Sequence, residues 1–176
     1  LNVRLVNLLT AARLYVDQVN QNIRECIPDV TDSKDAVKSL FSDKYDNHKE
    51  YRFMETLRNY VQHRGLPVHH TQFGSRWTSL DDDGLMEFSM ELASDPLFLE
   101  ENGGFKKVVL DEWNGKIDLK QATRKYVELF SEVQEAARAI IAESVTAARK
   151  LIEEAQNRYR LIHSGSLAGL SACKCP

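Results

Sequence analysis

The longest run of one hydrophobic periodicity in this 176-residue chain extends from residue 119 to about residue 163. Apolar and small side chains recur there at steps of three and four residues, as on one face of an α-helix: Tyr126, Phe130, Val133, Ala137, Ile140, Ser144, Ala148, Leu151, Ala155, Tyr159 and Ile162. Asp118 stands directly before the run and can cap the helix. At 1.5 Å per residue the helix would exceed about 60 Å, longer than a domain of this size needs. We therefore expect it either to break or to extend toward a partner.

Two further helices are predicted in the first third of the chain. The first covers residues 1 to about 27, because apolar side chains recur at helical steps until Pro28 interrupts them. The second covers about 34 to 64, with an interruption near residues 42–47, where the sequence is weakly helical. Gly65 is expected to cap this helix, and Pro67 prevents it from continuing.

A β-hairpin is predicted after the second helix. Residues 66–77 and 85–92 read as extended, and the polar segment between them reads as a turn. We expect this insertion, about 66–92, to pack on the helices, because an isolated hairpin is marginal in water. A brief helix is expected between Phe105 and Trp113. The tail, residues 164–176, contains small residues and glycines, which predicts poor order.

Composition indicates one globular domain, residues 1–163, of the mainly α class. Apolar residues make up 43% and charged residues 28%, and the net charge of −3 confines any nucleic-acid contact to a local patch. No apolar run is long enough for a membrane span, and three cysteines give no disulfide framework, so we expect a cytoplasmic protein. The sequence opens with Leu1 and not with Met, which is typical of a fragment or of a chain with further residues before it.

A polar group near the end of the second helix is the main functional candidate. At 100° per residue, the apolar side chains of that helix fall within a sector of about 120°. Arg58 lies at the edge of this sector, whereas Asn59 and His63 share the polar side, one turn apart. His63 falls in the last turn, where the helix dipole favours a cation. An arginine and a titratable histidine displayed there suit a phosphate substrate better than a core.

Arg58 and His63 are five residues apart, about 140° around the helix and about 7.5 Å along it. One helix would therefore not aim both at the same atom, but two antiparallel helices across a two-fold axis could each supply one residue to a shared cleft. Asn59 and His63 are i, i+4 neighbours, so the amide could orient the imidazole. The alternative interpretation is that these residues are simply solvated.

The segment Arg58-Asn59-Tyr60-Val61-Gln62-His63 resembles the Arg-polar-x-x-x-His motif of the HEPN superfamily of helical proteins. This resemblance implies a HEPN-like up-down helical bundle with a small hairpin insertion and a long C-terminal helix. It implies a homodimeric, metal-independent bacterial endoribonuclease that uses no cofactor. Such a toxin or phage-defence effector would bind RNA, and an antitoxin protein would be a further partner. Arg58, Asn59 and His63 would be catalytic, and the neighbouring Arg64 and His69 would bind substrate.

If the resemblance holds, metal-free RNA cleavage assigns complementary tasks to the two residues. The histidine takes the proton of the 2′-hydroxyl group, and the arginine stabilises the charge on phosphorus. The class-level alternative is a non-catalytic helical module that binds a nucleotide, nucleic acid or protein. Its support is the last helix, which could serve only as an assembly surface.

Other candidate sites are less specific. His63, His69 and His70 match no standard metal-site spacing, and Asp81-Asp82-Asp83 lacks the twelve-residue calcium pattern. Two thiols in Cys173-Lys174-Cys175 without nearby partners favour a simple tail over a metal site. Basic pairs along the last helix alternate with acidic residues, so ordinary helix faces are the favoured interpretation. Trp77 and Trp113 are expected to anchor the core or the hairpin.

Overall fold

The computed structural model of the protein describes residues 1–27, 31–79 and 84–171. Within these ranges the chain is mainly helical, as the sequence predicts. Its helices are α1 (Asn2–Cys26), α2 (Thr31–Asn47), α3 (Lys49–His63), α4 (Pro96–Glu101), α5 (Lys107–Leu110) and α6 (Leu119–Ile162). One antiparallel sheet contains β1 (His70–Trp77), β2 (Met86–Ser94) and β3 (Ile117–Asp118), in that order. No helix in the described ranges is long and apolar enough to cross a membrane.

The four longer helices, α1, α2, α3 and α6, share one apolar core. Its centre contains three rings: Tyr51 lies 5.3 Å from Tyr126 between ring centroids, and Tyr126 lies 4.9 Å from Phe130. The buried positions of α6 recur at steps of three and four residues: Leu119, Ala122, Tyr126, Leu129, Val133 and Ala137. Leu129 is buried there and the predicted Phe130 only partly so. On α3 the buried side chains include Phe53, Met54, Leu57 and Tyr60.

The helix expected over residues 34–64 is divided into α2 and α3 by His48, whose backbone is extended (φ −128°, ψ 113°). The break lies one residue beyond the predicted interruption. Arg52 supports it, because Nη1 donates hydrogen bonds to the carbonyl oxygens of Tyr45 (2.6 Å) and Asp46 (2.7 Å) at the end of α2. The same guanidinium binds Glu112 through Nε and Nη2, each at 2.9 Å. Carbonyls that a continuing helix would have bonded are thus satisfied by a side chain.

The end of α3 differs from the predicted glycine cap. Arg64 is the cap residue, with φ −132° and ψ −55°, and its backbone N–H donates to the carbonyl of Tyr60 at 2.8 Å. Gly65 does not adopt the left-handed conformation. A Cβ atom at Gly65 would lie only 3.0 Å from the hydroxyl of Tyr60, so the glycine is required for close approach and not for its φ angle.

The predicted hairpin is confirmed: β1 pairs with β2 from His70 opposite Ala93 to Trp77 opposite Met86. Residues 80–83 of its predicted turn lie outside the described ranges. Packing against the rest of the domain is confined to the hairpin base, where Ser94 is buried and donates a hydrogen bond to the carbonyl of Pro67. Toward the turn both strands are largely exposed. The expectation that the hairpin packs on the helices therefore holds only at its base.

Helix α6 is continuous over 44 residues, or about 66 Å. The predicted cap at Asp118 is confirmed, because Oδ1 accepts from the backbone N–H of Lys120 (2.8 Å) and Gln121 (3.1 Å). Fully buried residues end at Ala137, and after Ile141 most side chains are exposed. Of the two expected outcomes, the helix extends. That it extends to meet a partner stays a prediction.

The described part of the tail, residues 164–171, turns back toward the end of α6. The Tyr159 hydroxyl donates to the carbonyl of Ala168 at 2.9 Å, and the Tyr159 ring stacks on His163 with centroids 4.0 Å apart. Cys173-Lys174-Cys175 lies outside the described residues. Poor order over 164–176, and with it the domain boundary at residue 163, stays a prediction.

Candidate functional site

The side chain of Arg58 lies half-buried at the edge of the core. Its Nη2 donates a hydrogen bond of 2.7 Å to Oδ1 of the adjacent Asn59. Its Nε is buried, and no atom of the described residues accepts a hydrogen bond from it. A buried N–H without an acceptor costs about 1–3 kcal/mol, so the guanidinium is held at a free-energy cost.

The positive charge of Arg58 also affects the pKa of Tyr126, whose hydroxyl is hydrogen-bonded to Glu55 between α6 and α3. The Tyr126 hydroxyl, on α6, donates to Oε1 of Glu55 at 2.5 Å. Burial raises the pKa of Tyr126, the neighbouring Glu55 raises it further, and the positive charge of Arg58 opposes both effects. Arg58 therefore lies on the side of α3 that approaches α6.

His63 is the last residue of α3, and its side chain is exposed. Asn59, one turn earlier, is also exposed, and its amide oxygen accepts from Arg58. In the described part of the chain no hydrogen bond joins Asn59 to His63. The structure thus brings Arg58 and Asn59 together and leaves His63 open to solvent.

The expected separation of Arg58 and His63 follows from their places on one regular helix. Because α3 runs without interruption through both, they are about 140° apart around its axis and about 7.5 Å apart along it. Arg58 is directed toward α6, whereas His63 lies at the exposed helix end. Within one chain the two side chains therefore leave α3 in different directions.

Arg64 follows His63 and is exposed, but its stem packs against a loop that the sequence did not connect with it. A Cβ atom at Gly104 would lie 3.1 Å from Nε and 3.3 Å from Cγ of Arg64. Gly104 has φ +86°, so glycine is favoured there for its backbone as well. The loop after α4 thus supports the side chain of Arg64 next to His63.

His69 and His70 are tied to the start of α4. Nδ1 of His69 accepts from the backbone N–H of Asp95 at 3.0 Å, and its ring stacks on Phe98 with centroids 5.3 Å apart. Burial lowers the pKa of His69, which favours the neutral ring with its proton on Nε2. Nε2 of His70 lies 3.1 Å from Oδ2 of Asp95, and this bond lowers the pKa of the Asp95 carboxyl group. His69 therefore has a structural role at this junction, apart from any contact with a substrate.

These contacts also account for the histidines that could have suggested a metal. His69 and His70 are bonded to Asp95, and His63 lies at the end of a different element. Among the described residues no group of three or more His, Cys, Asp or Glu side chains is arranged to hold a metal ion.

Sequence reasoning did not identify Glu55, Asp95 or Gly104 as parts of this region. A signal existed only for Asp95, because Asp before Pro is a common start of a helix: Asp95 Oδ1 accepts from the N–H of Leu97 at 3.0 Å, with Pro96 in the first turn. Glu55 and Gly104 contact residues distant in the chain, which no local pattern indicates.

The exposed end of α3 offers a guanidinium held by an amide, a second arginine and a solvent-exposed imidazole. These groups have the chemistry to bind a phosphate and to transfer a proton. Comparison of the chain with protein-family models, with curated proteins and with solved structures finds no match.

Proposed function

We propose that the protein is a homodimeric, metal-independent endoribonuclease of the HEPN type, with a HEPN-like helical bundle as its fold. The observation that carries the proposal is the group at the end of α3: Arg58 bonded to Asn59, with His63 exposed one turn beyond the amide. A toxin or phage-defence role, with an antitoxin as partner, is part of the same proposal.

The reaction requires two groups on opposite sides of one phosphodiester. His63 takes the proton of the 2′-hydroxyl group, and the 2′-oxygen attacks phosphorus. Arg58 stabilises the added negative charge on the phosphoryl oxygens. As the bond from phosphorus to the 5′-oxygen breaks, that oxygen takes a proton from water. The products are a 2′,3′-cyclic phosphate and a free 5′-hydroxyl.

A dimer is needed because Arg58 and His63 diverge on one helix. Two α3 helices placed antiparallel across a two-fold axis bring Arg58 of one protomer opposite His63 of its partner. Asn59 then positions the guanidinium through the bond that it already makes. Arg64 is suited to hold a neighbouring phosphate, since it is exposed and is supported by the loop at Gly104. His69 is the least accessible of the proposed substrate contacts, because its Nδ1 already accepts from Asp95.

The test is incubation of the purified protein with total cellular RNA in EDTA, followed by mapping of the cut ends. His63→Ala and Arg58→Ala remove the proposed base and cation. Gln62→Ala is the matched control, since Gln62 is exposed in the same turn of α3 and has no role in the reaction. Cleavage to cyclic-phosphate ends by the wild type and the control alone supports the proposal. Equal cleavage by all four proteins, or none by the wild type, rejects it.

A second candidate function is a non-catalytic module that binds a nucleotide, a nucleic acid or a protein. It is favoured by the second half of α6, which projects beyond the core with most of its side chains exposed. A wild-type protein that leaves RNA intact but forms stable complexes through α6 would support this alternative.

A further inference from the structure

One face of the hairpin is apolar and uncovered. Phe73, Trp77, Met86, Phe88 and Met90 lie on this face, because the register places Phe73 opposite Met90 and Trp77 opposite Met86. Phe73 is 72% exposed, Trp77 58% and Phe88 80%. We call these five residues the hairpin face.

The opposite side of the hairpin is polar. The exposed apolar side chains are therefore concentrated on one side of the two strands. Arg76 and Glu87 pair across the strands there at 2.8 Å, next to Gln72 and Ser89. A two-stranded hairpin is marginal in water without a covered apolar face, and contiguous exposed apolar residues mark interaction sites. The hairpin face therefore requires an occupant.

The second half of α6 carries a complementary stripe that is exposed over much of its length, although the tail contacts Tyr159 near its end. Ile152 is 57% exposed and Ile162 78%. The stripe repeats at alternating steps of three and four residues, the spacing of a helix that packs along its length on a neighbour. We call it the α6 stripe, and its members are Val145, Ala148, Ile152, Ala155, Tyr159 and Ile162.

The two surfaces match in length and in charge. Strands of eight and nine residues extend about 26–30 Å, and the 18 helical residues 145–162 extend about 27 Å. The described part of the hairpin, residues 70–79 and 84–94, contains two acidic residues and one arginine, a net charge of −1. Residues 145–162 contain four basic and two acidic residues, a net charge of +2. Opposite charge favours their association.

The two surfaces are far apart within one chain. The hairpin is attached near the start of α6, where Nζ of Lys120 donates to the carbonyl of Met90 at 3.0 Å. Val145 lies 25 residues further along the same continuous helix, about 37 Å along its axis. A second copy with its α6 antiparallel to the first brings the stripe of one chain toward the hairpin of the other.

We propose that the hairpin face of one protomer packs on the α6 stripe of a second copy, and reciprocally, in a closed two-fold dimer. The contact is a sheet face on a helix stripe, a standard way of burying both. Three aromatic side chains with most of their surface exposed supply roughly 300–500 Å² per copy. Together with the stripe of the same copy this approaches the roughly 800 Å² per partner of a stable interface. The assembly does not depend on RNA cleavage.

Two variants each destroy one of the two surfaces by placing a charge in it. Phe88→Glu changes the hairpin face, and Ile152→Glu changes the α6 stripe. The matched controls add the same charge to the other sides of the two elements: Gln72→Glu on the polar side of the hairpin and Asn157→Glu away from the stripe. Far-UV circular dichroism tests whether all four variants keep the helical content of the wild type.

Sedimentation velocity over a concentration series gives the oligomeric state. The wild type and both controls are expected to be dimers, whereas each variant alone shows a dissociation constant raised about tenfold or more. Mixing Phe88→Glu with Ile152→Glu restores one intact contact, between the hairpin of the second variant and the stripe of the first. A heterodimer that forms only in the mixture is therefore the expected result.

Three results would overturn the proposal. The wild type could be monomeric at every concentration, which would assign the surfaces to a different partner. Either variant could dimerise as tightly as the wild type. The mixture could form no heterodimer, although pairing of the hairpin with the stripe requires one. None of these readouts involves RNA: a monomeric wild type would also count against the dimeric ribonuclease, whereas the other two results would leave that proposal untouched.

Discussion

Nε2 of His70 lies 3.1 Å from Oδ2 of Asp95, a contact that joins the start of β1 to the first turn of α4. The other carboxylate oxygen, Oδ1, caps α4 through the N–H of Leu97, and the backbone N–H of Asp95 donates to His69. One residue thus connects a strand, a helix and two histidines beside the end of α3.

Replacement of Asp95 separates these contributions. Asp95→Ala removes the cap and the contact with His70, and we expect a loss of about 1–2 kcal/mol in the free energy of unfolding. Asp95→Asn keeps a capping oxygen and should lose less than half as much. Urea denaturation at pH 7 measures both. An alanine variant as stable as the wild type would contradict the assigned role.

The lowered pKa of His69 predicts a pH dependence of stability. Burial keeps this ring neutral in the folded chain, whereas the unfolded chain binds a proton below the ordinary pKa of 6.5. The unfolded state is therefore favoured as the pH falls from 6.5 toward the folded pKa, and stability decreases across that window. His69→Asn keeps an acceptor for the N–H of Asp95 but does not titrate.

Thermal unfolding of both proteins between pH 7.5 and 5 checks this prediction. The midpoint temperature of the variant should fall less steeply with decreasing pH than that of the wild type. Parallel curves would show that another group is responsible.

Arg52 is expected to be the most important charged residue for stability. It binds Glu112 and two carbonyls at the end of α2, and neither member of the ion pair is freely exposed. Arg52→Ala should cost about 2–4 kcal/mol, because it leaves the carboxylate and the carbonyls without their donor. Arg13→Ala is the control, since its pair with Asp17 is exposed and should contribute under about 0.5 kcal/mol. Chemical denaturation of the two variants gives the comparison.

Arg58 predicts opposite effects on stability and on activity. Since its Nε is buried without an acceptor among the described residues, Arg58→Met should raise the free energy of unfolding by about 1 kcal/mol. The same change should lower RNA cleavage at least about 100-fold, and Arg58→Lys should not restore it, because a lysine lacks the planar fork. Denaturation and cleavage assays on the same preparations test both effects. A destabilised Arg58→Met variant would show that the guanidinium is a structural group.

Two glycines near α3 should respond differently to alanine. At Gly65 the new Cβ would lie 3.0 Å from the Tyr60 hydroxyl, which also accepts a hydrogen bond from Asn102. Gly65→Ala should therefore cost about 1–3 kcal/mol through displacement of a buried ring. At Gly103 there is open space but φ is +66°, so Gly103→Ala should cost about 1 kcal/mol through the backbone alone. Thermal or urea unfolding distinguishes the two cases by their size.

The features that could be predicted from the sequence are those that depend on local repeats. The extents of α1 and α6, the cap at Asp118 and the hairpin follow from periodicity and from residues adjacent in the chain. Strand β3 has only two residues and exists because Ala93 and Ser94 pair with it, which no local signal shows. The position of the break at His48 depends on Arg52 and Glu112, 60 residues apart.

The features of the candidate site also fall into those that local sequence spacing predicts and those that depend on distant contacts. Sequence spacing placed Asn59 and His63 on the polar side of α3 and Arg58 at its edge. It did not indicate that Asn59 bonds to Arg58, that Gly104 supports Arg64, or that His69 is held by Asp95. Each of these depends on a side-chain conformation or on a loop brought close by the fold.

Because core contacts are lost after Ala137, the two halves of α6 are expected to unfold with different stabilities. Its first half unfolds with the domain, since Tyr126, Leu129 and Val133 are fully buried. Beyond Ile141 the backbone depends mainly on the helix–coil equilibrium, because most helical stability in proteins comes from tertiary packing, which is largely missing there. Where nothing covers that half, its amide hydrogens should exchange with deuterium orders of magnitude faster than those of residues 122–137. Their exchange rate consequently reports, residue by residue, on whether anything is bound to that half of the helix.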